Sequence, residues 1–549
     1  MKVPGLLRFP ACLGLIPLLA LGLLQSASAG SATWNLNPAS GDWNAATNWT
    51  PATVPNGARD VATFATSNTL GVFVSANTEV SGITFNAGAN SFTLTANPLV
   101  TLTVSGSGIT NNTSLPQNFV TADDSSSNVG AIVFLKQATA GSLTTFTNVA
   151  NTTDRFAYSG ATRFLGQSTA DHAIFENLGA AVASGFGGIS LFEDSSGAGS
   201  GIFVNEPGLV DGANGGKTAI DGSAHAADGV FISNGATVSG ANGGNTTFFS
   251  DAEADNATLI ANGGSNGGGG GQIFFQGSSA GNTCRIELFG NGFLDISLHF
   301  GGSSPLSPEA TGPPLTIGSL EGDGLVNLGG VPLIVGSNNL TTTFSGLLQD
   351  NGAGSMLTKI GTGTLTFEGS NFYSAGTTVT GGTLIVSNVT GSAVGTGALK
   401  VKAGTLGGSG IISGAVVVGS GAGGTGAFLA PAHGGNKQLT LTIQSSLTFN
   451  SDATYTYTFK AKGNKSKIDK VIANGVTINS GASINLSGTT QGHLTPGTVL
   501  TLIKNTAATP IAGTFSNLPD GGIVNVNGNN LQASYEGGDG NDLTLTVVP

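Results

Sequence analysis

The stretch from 357 to 387, LTKIGTGTLTFEGSNFYSAGTTVTGGTLIVS, constrains the fold more than any other part of the chain. Within it, Leu365 and Phe367 alternate with Thr364 and Thr366, which is the period-two pattern of a half-buried strand. Glycines recur at short intervals and leave no room for a helix. Because one short strand cannot bury its apolar face alone, the segment predicts a stack of similar coils.

The same stretch resembles the autotransporter-associated beta-strand repeat, also called the passenger-associated transport repeat. The positions that carry the resemblance are Leu357, Lys359, Gly361, Gly363, Leu365, Phe367, Gly369, Asn371, Tyr373, Gly376, Thr377, Thr378, Gly382, Thr383 and Leu384. Ala375 stands where the family usually has another glycine, a departure that relaxes one turn. The resemblance implies a secreted, right-handed parallel β-helix passenger, and it implies no particular reaction.

Composition excludes several other classes of protein. The chain has 549 residues, of which 89 are glycine, and only 9% are charged. Hydrophobic residues make up 39% and alternate in order, which argues against disorder. The net charge of −12 disfavours nucleic-acid binding. Mean hydropathy is only +0.19, and beyond the N-terminus no apolar run approaches the length of a spanning helix.

The N-terminus has the pattern of a secretory signal peptide. Lys2 and Arg8 provide positive charge, an apolar core covers 11–24, and Ala27-Ser28-Ala29 supplies the small residues of a cleavage site. We expect cleavage after Ala29 and a secreted or cell-surface protein that does not span the membrane once the signal is removed. The mature chain then keeps Cys284 alone and forms no internal disulfide.

The resemblance to passengers would imply a C-terminal outer-membrane barrel. The chain after Gln438 has few strand-like segments and sparse aromatic residues. A membrane barrel needs many amphipathic strands with aromatic girdles. We therefore expect no such barrel in this chain.

All three tryptophans of the chain, Trp34, Trp43 and Trp49, fall between Ala32 and Phe64. A solenoid needs an end that shields its first coil, and the favoured interpretation is that these aromatics build that cap. The alternative is a platform on which sugar rings stack, since indole faces suit that contact.

After Asn128 the chain repeats with a longer period. Five segments of similar pattern begin at Phe164, Phe192, Ile220, Phe249 and Phe275, with spacings of 28, 28, 29 and 26 residues. A period in this range indicates a repeat architecture, with about one coil for each unit.

Together these patterns predict an all-β fold: a right-handed parallel β-helix, or β-solenoid, with glycine-rich turns and a C-terminal β-rich region. Prolines between Ser304 and Pro314 cannot donate to a sheet and predict a break in the ladder. The predicted organisation is a signal peptide at 1–29, a cap and first coils at 30–128, long-period repeats at 129–303, a proline-rich break at 304–316, the beta-strand repeat region at 317–437 and a C-terminal strand region at 438–549.

Residues with catalytic or metal-binding chemistry show no convincing pattern. The five histidines, His172, His225, His299, His433 and His493, lack metal-ligand spacing. Asp171 and His172 are adjacent, so on a strand they would point to opposite faces. The acidic candidates Glu193-Asp194, Asp251, Glu253 and Asp255 lack basic partners nearby in sequence and suggest solvated turns. We expect no catalytic, cofactor-binding or metal-binding residue.

Two further segments have alternative interpretations. Gly537 to Leu543 fits one copy of a calcium-binding nonapeptide, but the ion in such repeats sits between consecutive copies, so a glycine-rich hairpin turn is favoured and no cofactor is expected. Five lysines, Lys460, Lys462, Lys465, Lys467 and Lys470, predict a solvated hairpin that discourages edge pairing. The alternative for the lysines is contact with anionic surface glycans.

The sequence therefore predicts a secreted, non-enzymatic β-solenoid with a passenger-like structural or adhesive role at the cell surface. The alternative is a polysaccharide-binding or polysaccharide-degrading β-helix protein. Expected partners are surface glycans or extracellular polymers and no nucleic acid.

Overall fold

A computed structural model describes residues 30–124, 126, 128–153, 159–300, 313–423, 426–433 and 438–549. Within these ranges the chain consists of strands and turns, and the one helical element is a single 3-10 turn at Ala46–Asn48. No helix among these residues is long and apolar enough to cross a membrane. The predicted all-β class is confirmed. The predicted signal peptide and most of the proline-rich break lie outside the described residues.

The strands form four sheets, and the strands of each sheet follow one another in stacking order. Sheet 1 contains Trp49–Thr50, Ala32–Trp34, Gly57–Phe64, Thr78–Phe85, Thr101–Asn111, Ala131–Phe134, Ala161–Phe164, Ile189–Phe192, Lys217–Ile220, Asn245–Phe248, Gln272–Phe275, Phe293–Asp295, Leu325–Asn327 and Leu347–Gln349. Sheet 2 contains Gly71–Val74, Thr93–Ala96, Gln117–Thr121, Thr144–Asn148, Ile174–Asn177, Ile202–Asn205, Val230–Ser233, Thr258–Ala261, Arg285–Leu288, Ser319–Gly322, Thr342–Phe344, Thr364–Phe367, Thr383–Val386, Gly404–Gly408, Ala427–Leu429, Ala453–Lys462 and Ser483–Thr490, with Lys465–Ile468 antiparallel on Ala453–Lys462.

Two further sheets complete the second half of the chain. Sheet 3 contains Leu315–Ile317, Leu333–Val335, Met356–Lys359, Gly376–Val379, Leu399–Val401, Val416–Val418, Leu447–Phe449 and Val476–Ile478. Sheet 4 contains Ile411–Ile412, Thr440–Ile443, Lys470–Ala473, Val499–Asn505, Asp542–Val548, Asn529–Gly537 and Ile523–Val526. Coils before residue 315 therefore pass through sheets 1 and 2. Sheet 3 is added from Leu315, sheet 1 ends at Gln349, and sheet 4 is added from Ile411.

Successive coils stack in parallel register, one repeat apart. Ile189–Phe192 pairs with Lys217–Ile220, and Ile202–Asn205 pairs with Val230–Ser233, each a shift of 28 residues. The predicted start of the fourth repeat is wrong by one residue, because Ile220 pairs with Phe248 rather than Phe249. Two adjacent phenylalanines fit either parity in sequence, and only the register assigns Phe248 to the interior.

Columns of phenylalanine rings fill the core of the first half. In sheet 1, Phe164 stacks on Phe134 and Phe192 with ring centroids 4.8 and 4.7 Å apart and nearly parallel planes. In sheet 2, rings repeat at 4.8 Å through Phe119, Phe146, Phe175, Phe203 and Phe231. Rings of the two columns meet edge to face, as for Phe192 and Phe203 at 5.4 Å. Each such pair contributes about 0.5–1.5 kcal/mol beyond burial of its area.

A buried amide ladder runs beside these rings. Asn148, Asn177 and Asn205 stack in sheet 2. Asn148 Nδ2 donates to Asn177 Oδ1, and Asn177 Nδ2 donates to Asn205 Oδ1, both at 2.8 Å. Hydroxyl groups of sheet 1 complete the network, as when Ser190 donates to Asn177 Oδ1 at 3.0 Å. All of these side chains are buried, so the ladder satisfies polar groups that would otherwise be costly in the core.

The stretch resembling the beta-strand repeat builds coils in the second half. Leu365 and Phe367 are 1% and 0% exposed, so the predicted strand parity is confirmed. Asn371 joins three coils, because its Oδ1 accepts the Leu348 N–H at 2.8 Å and its Nδ2 donates to Ala393 O at 2.6 Å. Leu365, Phe367 and Asn371 are thus buried residues that pack or hydrogen-bond successive coils together, and they do not form a binding surface.

Candidate functional site

The three tryptophans do not form a sugar platform, and that alternative is wrong. Trp34, Trp43 and Trp49 are only 0–2% exposed. Trp49 meets Trp34 and Trp43 edge to face, with ring centroids 5.0 Å apart in both pairs. Their indole N–H groups donate to the carbonyls of Thr69, Pro55 and Trp43. With faces and edges occupied, no ring is free to stack on a sugar, and the cap interpretation accounts for all three residues.

A long concave surface, here called the groove, lies on the outer face of sheet 1. It has a volume of about 1310 Å³ and crosses six consecutive strands, from Ala131–Phe134 to Gln272–Phe275. Its floor includes the outward-facing residues that begin the strands, namely Ala131, Ala161, Ile189, Lys217, Asn245 and Gln272, together with Leu191. The groove therefore runs along the stacking axis and presents a new rung about every 4.8 Å.

One wall of the groove is a row of glycines and asparagines repeated at 28 residues. Asn242 Nδ2 donates to Asn214 Oδ1 at 3.0 Å, and Asn214 Nδ2 donates to Gly185 O at 2.8 Å. A Cβ on Gly215 would lie 2.4 Å from Gly243 O, so the coils pack too closely there for a side chain. The result is a low wall carrying amide groups above a partly apolar floor.

Among the described residues, two cationic side chains line the groove, and they differ in their surroundings. Arg163 is paired, with Nη2 2.5 Å from Glu193 Oε2. Lys217 has no carboxylate within ion-pair distance in the described chain, and its Nζ lies 4.9 Å from the centre of the Phe249 ring. Burial lowers the pKa of Lys217, while Asp221 opposes that shift. The groove can thus offer hydrogen-bond donors to hydroxyl or carboxylate oxygens of a ligand.

Three of the acidic candidates, Glu193, Asp194 and Asp251, have separate partners. Glu193 pairs with Arg163, Asp194 accepts the Gly166 N–H at 2.9 Å, and Asp251 accepts a hydrogen bond from Ser278. Asp171 and His172 do contact each other, with Oδ1 and Nδ1 2.5 Å apart, although strand geometry predicts opposite faces for adjacent residues. Both lie in a turn rather than a strand, and Asp171 has a positive φ of 55°, which removes the basis of that expectation.

His225, Glu253 and Asp255 come together across two coils, and their ligand atoms all lie within 4.8 Å of one another. His225 and Glu253 pair as a parallel bridge at one corner of the solenoid. His225 Nδ1 is 3.3 Å from Asp255 Oδ2 and 4.0 Å from Glu253 Oε2. No sign of this cluster is visible in the sequence because His225 and Glu253 are 28 residues apart. They become neighbours only when the register of successive coils is known.

The two C-terminal segments form hairpins. Gly537 pairs with Asp542 across a turn, and Asp542 accepts the Asn505 N–H at 2.9 Å, so its carboxylate is bound within the fold.

The lysine-rich segment is an antiparallel hairpin in which Lys460 lies opposite Lys467 and Lys462 opposite Lys465. Contact of this hairpin with anionic glycans stays a prediction.

Sequence reasoning missed the groove residues Arg163, Lys217, Asn214 and Asn242. A signal was present, because Ala-Asn-Gly-Gly occurs at 213–216 and again at 241–244, spaced by one coil. Such an identical tetrapeptide at the repeat period marks a column of equivalent positions. It does not show by itself whether that column lies inside or on the surface.

The parallel register and the internal ladders define the class of fold: a parallel β-solenoid. The passenger-associated-transport-repeat family model matches residues 357–386, the stretch that carries the resemblance in the sequence. No curated protein matches the chain. Among solved structures the chain is similar to the Haemophilus influenzae Hap adhesin, with 13% identity over 89% of this chain and a TM-score of 0.24. It spans 63% of that adhesin chain.

Proposed function

We propose that this chain is a secreted, non-enzymatic β-solenoid of the cell surface that serves in adhesion by holding an extended extracellular glycan in the groove of sheet 1. The observation that carries the proposal is the continuity of the groove over six consecutive strands. Rungs that recur about every 4.8 Å suit a linear polymer of short repeat better than a compact ligand.

The lining of the groove supports a glycan in particular. Ile189 and Leu191 give an apolar floor for the C–H face of a sugar ring, while Asn214, Asn242 and Lys217 place polar groups around it. Ligand sites commonly combine an apolar lining with a few polar groups that fix orientation. The acidic side chains nearby are engaged by Arg163, backbone N–H groups or hydroxyls, an arrangement that favours binding over turnover.

Binding of the chain from Gly30 to Pro549 to immobilised polysaccharides, followed by biolayer interferometry, tests the proposal. A neutral glucan and a polyuronate such as alginate are the two probes. Ile189→Glu places a charge on the groove floor and is expected to weaken binding about tenfold or more by desolvating a carboxylate against the ligand. Ile202→Glu is the matched control, because Ile202 faces outward from sheet 2 in the same coil and is 38% exposed.

Equal binding by the two variants, or no retention on either polysaccharide, would contradict the groove as the site. Release of new reducing ends from either polysaccharide during incubation would contradict the non-enzymatic part of the proposal.

A further inference from the structure

One corner of the solenoid gathers metal-ligating side chains away from the groove. Its backbone column pairs Gly197, His225, Glu253 and Ala280 in parallel, one residue for each coil. His225 and Glu253 are therefore neighbours by register. Asp255 follows Glu253 by two positions and reaches the same imidazole, at 3.3 Å from Nδ1.

We propose that His225, Glu253 and Asp255 bind one first-row divalent cation of the Zn²⁺ class, which ties two successive coils together. Zinc binds imidazole nitrogen and carboxylate oxygen at about 2.0–2.2 Å, so two donors on one ion lie roughly 3–3.5 Å apart. The Nδ1 to Oδ2 distance of 3.3 Å already fits that separation. Glu253 Oε2, at 4.0 Å from Nδ1, needs a shift of under about 1 Å to join them.

Neighbouring groups orient the ligands. The Ala227 N–H donates to Asp255 Oδ2 at 3.0 Å, and Asn282 Nδ2 donates to Glu253 Oε2 at 3.0 Å. Hydrogen bonds of this kind fix the direction of metal-binding carboxylates. Asn282 belongs to the next coil, so three consecutive coils contribute to the site.

The charge at this corner is unbalanced in the absence of a cation. In the described part of the chain, no lysine or arginine nitrogen lies within 4.0 Å of the carboxylates of Glu253 and Asp255, and the nearest basic side chain is that of His225. The 3.3 Å contact between His225 and Asp255 lacks the geometry of a hydrogen bond, although both groups could form one. His225 Nδ1 thus lies within 4.0 Å of an oxygen from each carboxylate, a set of donors that one cation can share.

Chemistry selects the class of metal. An imidazole together with carboxylates favours zinc and its neighbours, whereas calcium and magnesium favour sites made of oxygen alone. Cys284 is fully buried, and burial raises the pKa of its thiol to about 12, so it supplies no thiolate ligand. The three ligands are 23–46% exposed in their side chains, which leaves room for water to complete the coordination sphere.

Titration of the metal-free chain from Gly30 to Pro549 with ZnCl₂ in a calorimeter tests the site, with CaCl₂ in parallel. One zinc ion is expected to bind, and His225→Gln and Asp255→Asn are each expected to weaken it about tenfold or more. His172→Gln is the matched control, since His172 also contacts a carboxylate, that of Asp171, but has no second acidic partner among the described residues. Binding to that variant is expected to be unchanged.

Thermal unfolding gives a second measurement. Excess ZnCl₂ is expected to raise the melting temperature of the parent chain and of His172→Gln but not of His225→Gln. Circular dichroism of each variant without metal establishes that it folds, and Glu253→Gln replaces any variant that does not. Absence of saturable zinc binding, or unchanged binding in His225→Gln, overturns the proposal. Equal affinity for calcium that survives His225→Gln overturns the role of the imidazole.

Discussion

Single glycines decide how closely successive coils can stack. Gly188, Gly216, Gly244 and Gly271 each lie where an added Cβ would be 1.9–2.0 Å from a carbonyl oxygen of the preceding coil. Those carbonyls belong to Asn148, Asn177, Asn205 and Ser233, the residues that end the sheet 2 strands. Each of these glycines is the second of a Gly-Gly pair. It has no room for a side chain because it packs against the end of a sheet 2 strand, where the buried polar ladder lies.

We expect Gly216→Ala to lower the free energy of unfolding by about 1–3 kcal/mol, because the new methyl group must displace the Asn177 carbonyl. Gly197→Ala is the matched control, since its Cβ would meet nothing closer than 3.9 Å. Urea denaturation followed by circular dichroism measures both. Equal midpoints for the two variants would contradict the close packing.

Lys359 is a motif residue whose burial makes stability depend on pH. It is 1% exposed, its Nζ donates to Ile360 O at 2.6 Å, and burial lowers its pKa to about 8. An unfolded lysine has a pKa of about 10.4, so between the two values the unfolded chain binds more protons and stability rises with pH. Below about pH 8 the folded state bears the full cost of burying the charge.

We therefore expect Lys359→Met to raise the free energy of unfolding by roughly 1–3 kcal/mol at pH 7, with the gain shrinking towards pH 10. Lys400→Met is the control, because Lys400 lies on a strand of the same sheet and is exposed. Melting temperatures at several pH values between 6 and 10 measure the effect. A gain that grows with pH would contradict the assigned sign.

Individual strands were the part of the fold that the sequence predicted best. Alternation placed Leu365 and Phe367 inside because a strand reverses the direction of its side chains at every residue. The prediction failed at Phe249, where two adjacent rings fit either parity and only pairing with Ile220 selects Phe248. Neither the groove nor the corner around His225 could be predicted, because each is made of residues one coil apart and depends on register.

Strand parity can be tested by placing a charge on each face of one strand. Leu365→Asp buries a carboxylate in the core and is expected to destabilise the solenoid by about 3 kcal/mol or more, whereas Thr366→Asp leaves its charge near water and costs little. Limited proteolysis followed by mass spectrometry locates the loosened coils. Similar cleavage of both variants would show that the register is wrong.

The whole molecule is a linear array in which each coil contacts mainly its neighbours. Stability in such an array is approximately a sum of coil terms and interface terms, and its open sheets need protection at both ends. At the C-terminal end, sheet 4 finishes with four strands that pair antiparallel with one another: Val499–Asn505, Asp542–Val548, Asn529–Gly537 and Ile523–Val526. The groove and the His225 corner both consist of residues from successive coils, so both depend on the register.

The N-terminal end has its own closure, which covers both sheets at once. Ala32–Trp34 lies on the edge of Gly57–Phe64 in sheet 1, and Trp43 N donates to Phe73 O at 2.9 Å on the first strand of sheet 2. Phe64 is 0% exposed beneath the three indole rings, whose centres lie 5.6–6.0 Å from its own. The segment before Gly57 therefore covers two strand edges and one large apolar surface.

We expect a chain that begins at Gly57 to associate end to end, because its first strands would expose unpaired backbone groups beside the Phe64 ring. Size-exclusion chromatography with light scattering, over a range of concentrations, compares it with the chain that begins at Gly30. The shortened chain is expected to show a mass that rises with concentration more steeply than that of the longer chain, while circular dichroism retains the β signal. Identical masses at every concentration would mean that residues 30–56 do not protect the end of the solenoid.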